Sequence, residues 1–221
     1  MLEERAARAW ADFCQNDKDC PNVRQLAVGS RLVEFAAGTN LIEQADTAKS
    51  VYLLLDGCVS IIRFTENGHN IWLANAHIGE LVGEISVLAR METTSQVVAD
   101  GQVSVLSIAR GLFEECVRND PALAFALSRM LARRLAETSS QLSELIALPV
   151  VLRLHAELVR IGQPANEDAE QYIVSPAPSV STLGARIHAT REAASRALGL
   201  LERRKLVARQ ADAWTVIAAE N

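Results

Sequence analysis

The chain lacks any long hydrophobic run, although 49% of its 221 residues are hydrophobic. No stretch reaches the roughly 18 consecutive apolar residues that a membrane-spanning helix requires. The first residues, Met1–Arg5, also lack the charge pattern of a secretory signal peptide. These absences predict a folded, cytoplasmic protein that has no membrane partner.

Cysteine is scarce, and its spacing fits no common metal site. The four cysteines (Cys14, Cys20, Cys58 and Cys116) form no C-x-x-C pair, and none has histidine at zinc-finger spacing. We therefore expect no metal site and, in a cytosolic chain, reduced thiols. Cys14 and Cys20 leave open the alternative of a redox or metal pair near the N-terminus.

The chain also lacks the residue sets on which enzymes depend. It has no nucleophile–base–orienter combination, no metal-binding triad and no glycine-rich loop carrying a lysine. We therefore expect a protein that is not an enzyme.

Positive charge is in deficit overall but not at the C-terminus. The formal net charge is −5, which by itself argues against nucleic-acid binding. Residues 180–221, however, carry seven Lys or Arg against four Asp or Glu, a net charge of +3 that leaves −8 on the remainder. A basic terminal module on an acidic body is typical of a regulator whose contact with DNA is local.

That basic segment has the pattern of a helix-turn-helix. Ser179 can cap a short helix, His188-Ala189 can form the turn, and Thr190 can cap a second helix. The second helix has an apolar inner face formed by Ala194, Ala197, Leu198 and Leu201. Two strands of a wing are predicted at Leu206-Val207 and over 213–218. His188 occupies a position where glycine is usual, and histidine tolerates positive φ better than most residues.

The opposite face of the second helix carries groups that can contact base edges. Arg pairs with guanine through two hydrogen bonds, and Glu accepts one from the cytosine amine. The four side chains on this face are Arg191, Glu192, Ser195 and Arg196. The alternative is an ordinary helical hairpin with a solvated charged face.

Upstream, the chain changes from strand-like to helical periodicity. A helical segment is predicted over residues 1–22. Short β-like runs follow from about Asn22 to Ile108, and Asn67-Gly68 between two of them is typical of a hairpin turn. Many short strands of this kind favour a barrel, jelly roll or sandwich. A long helix is predicted from Pro121, with Leu131, Leu135, Thr138, Leu142 and Leu145 spaced 4-3-4-3. This spacing favours pairing with a second copy of the helix, although packing against the chain's own β-domain is the alternative. Pro149 interrupts the pattern, a further helix runs to about Ile161, and a polar linker spans 162–170.

This order of elements resembles the CRP/FNR superfamily of bacterial transcription regulators over about residues 25–221. The resemblance implies an α+β chain with an N-terminal helix and a cyclic-nucleotide-binding-like β-roll (1–118), a dimerisation helix (119–147) and a C-terminal winged helix-turn-helix (148–221). It implies a homodimer on double-stranded DNA, half-sites with a TGA core, and contact with RNA polymerase. The residues assigned to DNA are Thr190, Arg191, Glu192, Ser195, Arg196, Arg203, Arg204 and Lys205.

The stretch from Gly79 to Ser86 resembles the family's phosphate-binding cassette, but the cassette is incomplete. Cyclic-AMP-binding members have an Arg and a Ser or Thr where this chain has Thr93 and Thr94. Loss of that Arg removes a strong charge-assisted contact, so ordinary cyclic AMP is an unlikely cofactor and the effector, if any, is unknown. The resemblance assigns an effector site to Gly83, Glu84, Ile85, Thr93, Thr94, Arg134, Thr138 and Ser139.

Two alternatives for the signal remain open at this point. One is a regulator that senses redox state or a gas through haem or thiols, although the cysteine spacing does not fit the family's iron–sulfur members, and His77 is the only histidine near the cassette. The other is a cyclic-nucleotide-responsive regulator with an atypical phosphate site.

Overall fold

The computed structural model describes residues 2–14, 23–65, 70–165, 170–210 and 212–218. It divides into two compact units, Met1–Leu135 and Ala136–Asn221. The helices are α1 (Leu2–Phe13), α2 (Val23–Gly29), α3 (Glu84–Ala89), α4 (Arg110–Asn119), α5 (Pro121–Ala147), α6 (Val150–Ile161), α7 (Val180–Arg186) and α8 (Arg191–Arg203). The strands are β1 (Arg31–Phe35), β2 (Asn40–Ile42), β3 (Ser50–Asp56), β4 (Val59–Phe64), β5 (Asn70–Ala76), β6 (Leu81–Val82), β7 (Gln96–Ala99), β8 (Val103–Ala109), β9 (Gln163–Pro164), β10 (Gln171–Val174), β11 (Val207–Arg209) and β12 (Trp214–Ile217).

The first unit is a β-roll of two four-stranded antiparallel sheets. Their strand orders are β1-β8-β3-β6 and β2-β7-β4-β5. Strands β3 and β8 of the first sheet are buried on both faces, whereas β1 is largely exposed. Leu54 and Val105 point into the roll, whereas Leu53 and Leu106 belong to a second core that includes Trp10 of α1. Burial on both faces explains why β3 and β8 are nearly continuous apolar runs.

The second unit packs three helices against one sheet. Strands β11, β12, β10 and β9 form an antiparallel sheet in that order. Leu158 of α6, Leu183 of α7, Leu198 of α8 and Trp214 of β12 belong to its core. The predicted α+β architecture, a β-roll followed by a long helix and a winged helix-turn-helix, is therefore confirmed.

The long helix α5 begins as the sequence predicts, because Asp120 caps it. The Asp120 carboxylate accepts hydrogen bonds from the backbone N–H groups of Ala122 and Leu123 at 3.0 and 3.1 Å. Leu131 packs against the core of the first unit. Leu135 and Leu142, by contrast, are 68% and 56% exposed in the single chain. Of the residues spaced 4-3-4-3 on α5, some therefore pack into the chain's own core, and others are exposed to solvent in the single chain.

The structure corrects the sequence-based secondary structure in two places. The region of β-like runs, predicted from about Asn22, begins only at Arg31, because residues 23–29 form helix α2, whose Leu26 and Ala27 pack into the core beside α1. The predicted linker over 162–170 contains β9, and β10 follows directly. Strand β9 pairs with β10, and β10 pairs with β12, which lies far along the chain, so a short segment carries little local signal for either strand. The hairpin signal at Asn67-Gly68 falls outside the described residues.

The predicted domain boundaries at 118/119 and 147/148 stay a prediction. Helix α4 ends at Asn119 and α5 ends at Ala147, whereas the compact units divide at Leu135, inside α5.

Candidate DNA-binding surface and effector site

Helices α7 and α8 form the predicted helix-turn-helix, and side-chain caps fix where each begins. Ser179 Oγ accepts from the Thr182 N–H at 3.0 Å, and Thr190 Oγ1 accepts from the Ala193 N–H at 3.2 Å. The turn between them places His188 at φ 51°, in the left-handed region. Gly184 lets the turn approach α7, since a Cβ there would lie 3.0 Å from the Ala189 carbonyl oxygen.

The two faces of α8 have opposite character. Ala194, Ala197, Leu198 and Leu201 are buried in the core of the unit. Arg191, Glu192, Ser195 and Arg196 are all exposed, as is the capping Thr190. Hydrogen bonds from the Glu192 backbone N–H and from Thr190 hold the pKa of Glu192 below its ordinary value, so this carboxylate is ionised at neutral pH.

The other predicted DNA contacts lie at the far end of α8. Arg203 is in the last turn of the helix, Arg204 caps it, and Lys205 follows at φ 60°. All three side chains are exposed, and within the described part of the chain none of them forms an ion pair. Arg209 of the wing differs, because it is paired with Glu202 and lies over the Trp214 ring.

In the first unit, Gly83 shapes the start of the cassette helix α3. Its φ is 88°, and a Cβ there would approach Ile42 and the Ser50 carbonyl oxygen to 3.0 Å. Both the backbone conformation and the space therefore require glycine. Glu84 follows as the first residue of α3 and is 1% exposed, whereas Ile85 is 51% exposed.

Two predicted effector residues, Glu84 and Arg134, contact each other. The Arg134 guanidinium donates from Nη1 to Glu84 Oε1 at 2.5 Å and from Nη2 to the Leu81 carbonyl at 2.7 Å. Burial raises the pKa of Glu84 above its ordinary value, and the charge of Arg134 opposes that shift. The pair joins α5 to the cassette helix α3. It occupies polar groups to which an effector could otherwise bind.

The Thr93 hydroxyl is hydrogen-bonded to a neighbouring loop. It donates to the Glu43 carbonyl and accepts from the Asp46 N–H at 2.9 Å, and the side chain is buried. Thr94 is exposed, with its hydroxyl 3.5 Å from that of Ser95. Thr138 and Ser139 are exposed on α5 and belong to the second unit.

Other features bear on the alternative signals. Cys14 and Cys116 are buried, Cys58 is half-buried, and Cys20 lies outside the described residues. The described segments contain no group of three His, Cys, Asp or Glu side chains that could hold a metal ion. Among the same residues, no helix is long and apolar enough to cross a membrane.

The second unit contains a charged cluster that was not predicted from the sequence. Glu157, only 2% exposed on α6, accepts from Arg160 of the same helix and from Arg186 of α7. A signal was present, because a glutamate within an otherwise apolar helix face requires a buried partner. The identity of that partner depends on tertiary packing.

Comparison with known proteins agrees with this architecture. Residues 32–120 match the cyclic nucleotide-binding domain. The cAMP-activated global transcriptional regulator CRP of Salmonella typhimurium is 23% identical over 175 residues, which cover 79% of this chain and 83% of that protein. The structure of CLP, a c-di-GMP responsive global regulator of Xanthomonas campestris, superposes with a TM-score of 0.78 at 19% identity, covering 91% of this chain and 100% of that one. A CRP/FNR family transcriptional regulator of Thermus thermophilus superposes with a TM-score of 0.69 at 20% identity, covering 85% and 94%.

The matched domain and the shared fold define a chain built on a cyclic nucleotide-binding β-roll. The chain is similar in sequence and fold to transcription regulators of the CRP/FNR family, as its sequence predicted. These relatives are regulators rather than enzymes, which fits the expectation of a non-enzyme. The assignment of individual residues to DNA or to an effector stays a prediction.

Proposed function

We propose that the protein is a homodimeric, sequence-specific DNA-binding regulator that recognises a palindrome with TGA-containing half-sites. One observation carries this proposal: α8 buries its apolar face and leaves Arg191, Glu192, Ser195 and Arg196 exposed on one side. That surface suits insertion into the major groove, where arginine pairs with guanine and glutamate with the cytosine amine. Arg203, Arg204 and Lys205 supply charge for flanking phosphates.

Homodimerisation through α5 is the second part of the proposal. The exposed Leu135 and Leu142 are seven residues apart, so they fall on the same face of the helix, one heptad from each other. Pairing with a second copy of α5 removes both from water. A dimer also presents two copies of α8, which matches a palindrome whose two half-sites lie about one helical turn of DNA apart.

For the signal, we propose an effector other than ordinary cyclic AMP, or none. The Glu84–Arg134 pair and the loop contacts of Thr93 support this, because the three side chains already have partners within the protein. Relatives carry different signals, since one is cAMP-activated and another c-di-GMP responsive. The alternatives are a cyclic nucleotide at an atypical phosphate site and redox or gas sensing. Contact with RNA polymerase is proposed on the family resemblance.

A gel shift on a TGA-containing palindrome tests the DNA proposal. We expect a retarded complex at nanomolar protein, and a much weaker one when both TGA cores are scrambled at the same length and composition. Equal binding to the two duplexes would contradict sequence-specific recognition. Mass spectrometry and an absorption spectrum of the purified protein test the signal, because they detect a co-purified nucleotide, haem or iron–sulfur cluster.

A further inference from the structure

The second unit holds a pocket of charged side chains that the proposed function does not use. It lies where the end of α5, the helix α6, the helix α7 and the turn before α8 meet. We call it the arginine pocket and define it by Glu144, Arg153, Glu157, Arg160, Arg186 and His188. Three guanidinium groups face two carboxylates here, so the pocket holds one positive charge in excess.

Both carboxylates in the arginine pocket already have partners. Glu157 accepts from Arg160 Nη1 at 2.5 Å through Oε2 and from Arg186 Nη1 at 3.1 Å through Oε1. Glu144 accepts from Arg160 Nη2 at 2.9 Å through each of its oxygens. Arg160 and Arg186 therefore pair with both carboxylates of the pocket. These hydrogen bonds do not include the third arginine of the pocket.

That third arginine is Arg153, and its donors are buried. Its Nε and Nη1 atoms are shielded from solvent, and within the described part of the chain they donate to no acceptor. Burial and the nearby charge of Arg153 lower the pKa of the His188 imidazole, and the charge of Glu157 opposes that shift. Two shielded guanidinium donors without an acceptor are costly, and native proteins rarely keep such groups without a purpose.

We propose that the arginine pocket binds a small oxyanion, the phosphate or carboxylate group of a metabolite, with Arg153 as its principal donor. An oxyanion supplies both the missing negative charge and the missing hydrogen-bond acceptors, and arginine binds such groups strongly. The pocket walls come from three helices and the turn that precedes α8. An anion there ties these elements together, and it requires neither DNA nor the β-roll effector site.

Calorimetry of the whole 221-residue chain tests this proposal. Titration calorimetry gives the dissociation constants of sodium phosphate and sodium malonate, each measured separately with sodium chloride holding the ionic strength constant. Scanning calorimetry then gives the melting temperature with each anion. At ten times the dissociation constant of the bound anion, we expect the melting temperature to rise by about 3 °C. A rise with phosphate alone assigns the site to phosphate groups, and a rise with malonate alone assigns it to carboxylates. If neither anion raises the melting temperature above the chloride control, the proposal is wrong.

Variants locate the binding. Arg153→Gln should weaken anion binding at least about tenfold, since it removes a charged donor. Arg153→Lys, which keeps the charge but loses the fork of donors, should fall between that variant and the parent. It also serves if Arg153→Gln fails to fold, which circular dichroism detects. The matched control is Arg203→Gln with Arg204→Gln, on the predicted DNA surface. If that control abolishes the anion effect while Arg153→Gln preserves it, phosphate binds at the DNA surface and the proposal is overturned.

Discussion

Arg134 and Glu84 lie 50 residues apart in sequence, yet their side chains form an ion pair with 2.5 Å between Nη1 and Oε1. Glu84 is almost completely buried, whereas the Arg134 side chain is 22% exposed. The pair links the cassette helix α3 to α5, the helix that carries the proposed dimer face. Both residues match family positions for the effector, so the same contact bears on stability and on signal.

Replacing one member of this pair should destabilise the first unit. Arg134→Met leaves a buried carboxylate without its cation, and we expect a loss of about 3 kcal/mol in the free energy of unfolding. The double variant Arg134→Met/Glu84→Gln should recover part of that loss, because the uncompensated charge is gone. Chemical denaturation measures both, with Arg133→Met, an exposed neighbour, as the control. Equal stability of Arg134→Met and Arg133→Met would show that the pair contributes nothing.

Cyclic AMP should bind weakly or not at all. Thr93 stands where a phosphate-pairing arginine is expected, and its hydroxyl is held by the Glu43 carbonyl and the Asp46 N–H. Titration calorimetry measures the affinity directly, and a dissociation constant in the micromolar range or tighter would contradict this prediction. Thr93→Arg restores the charge, so it should gain affinity if the loop at 43–46 tolerates the loss of its hydrogen bonds.

The dimer should depend on the exposed leucines of α5. Leu135→Glu combined with Leu142→Glu places like charges at a paired interface, and we expect dimer affinity to fall at least about 100-fold. Sedimentation velocity measures the change in mass. Because both side chains are exposed in the single chain, the protomer itself should stay folded. A double variant that still sediments as a stable dimer would remove α5 from the interface.

Local chemistry made the helix-turn-helix predictable from sequence. Ser179 and Thr190 were identified as caps from their positions alone, and both make the expected hydrogen bond to the third residue that follows. Capping depends on residues three apart, and the buried stripe of α8 depends on helical periodicity. Neither requires knowledge of the rest of the fold.

The sequence alone did not indicate which elements pack or pair with each other in the fold. Helix α2 and strand β10 depend on what they pack or pair with, and a segment of four to seven residues carries too little pattern to indicate that. Glu84 and Arg134 were both assigned to the effector site, but their contact with each other was not anticipated. For the same reason, the sequence of α6 does not indicate that Arg153 lies beside the turn at His188.

Base recognition should depend on Arg196, supported by Arg191, Glu192 and Ser195. Arg196 is exposed in the second turn of α8, where a side chain can reach a guanine edge in the major groove. Arg196→Ala should cost about 1–3 kcal/mol of binding free energy and relax the preference at a single base pair. By contrast, Arg204→Ala, beyond the helix, should weaken binding to all sequences alike and reduce the salt dependence by about one phosphate contact. Binding to single-base variants of the palindrome at two salt concentrations separates the two outcomes. If Arg196→Ala lowered affinity equally for every variant, Arg196 would be a phosphate contact and the base-reading assignment would be wrong.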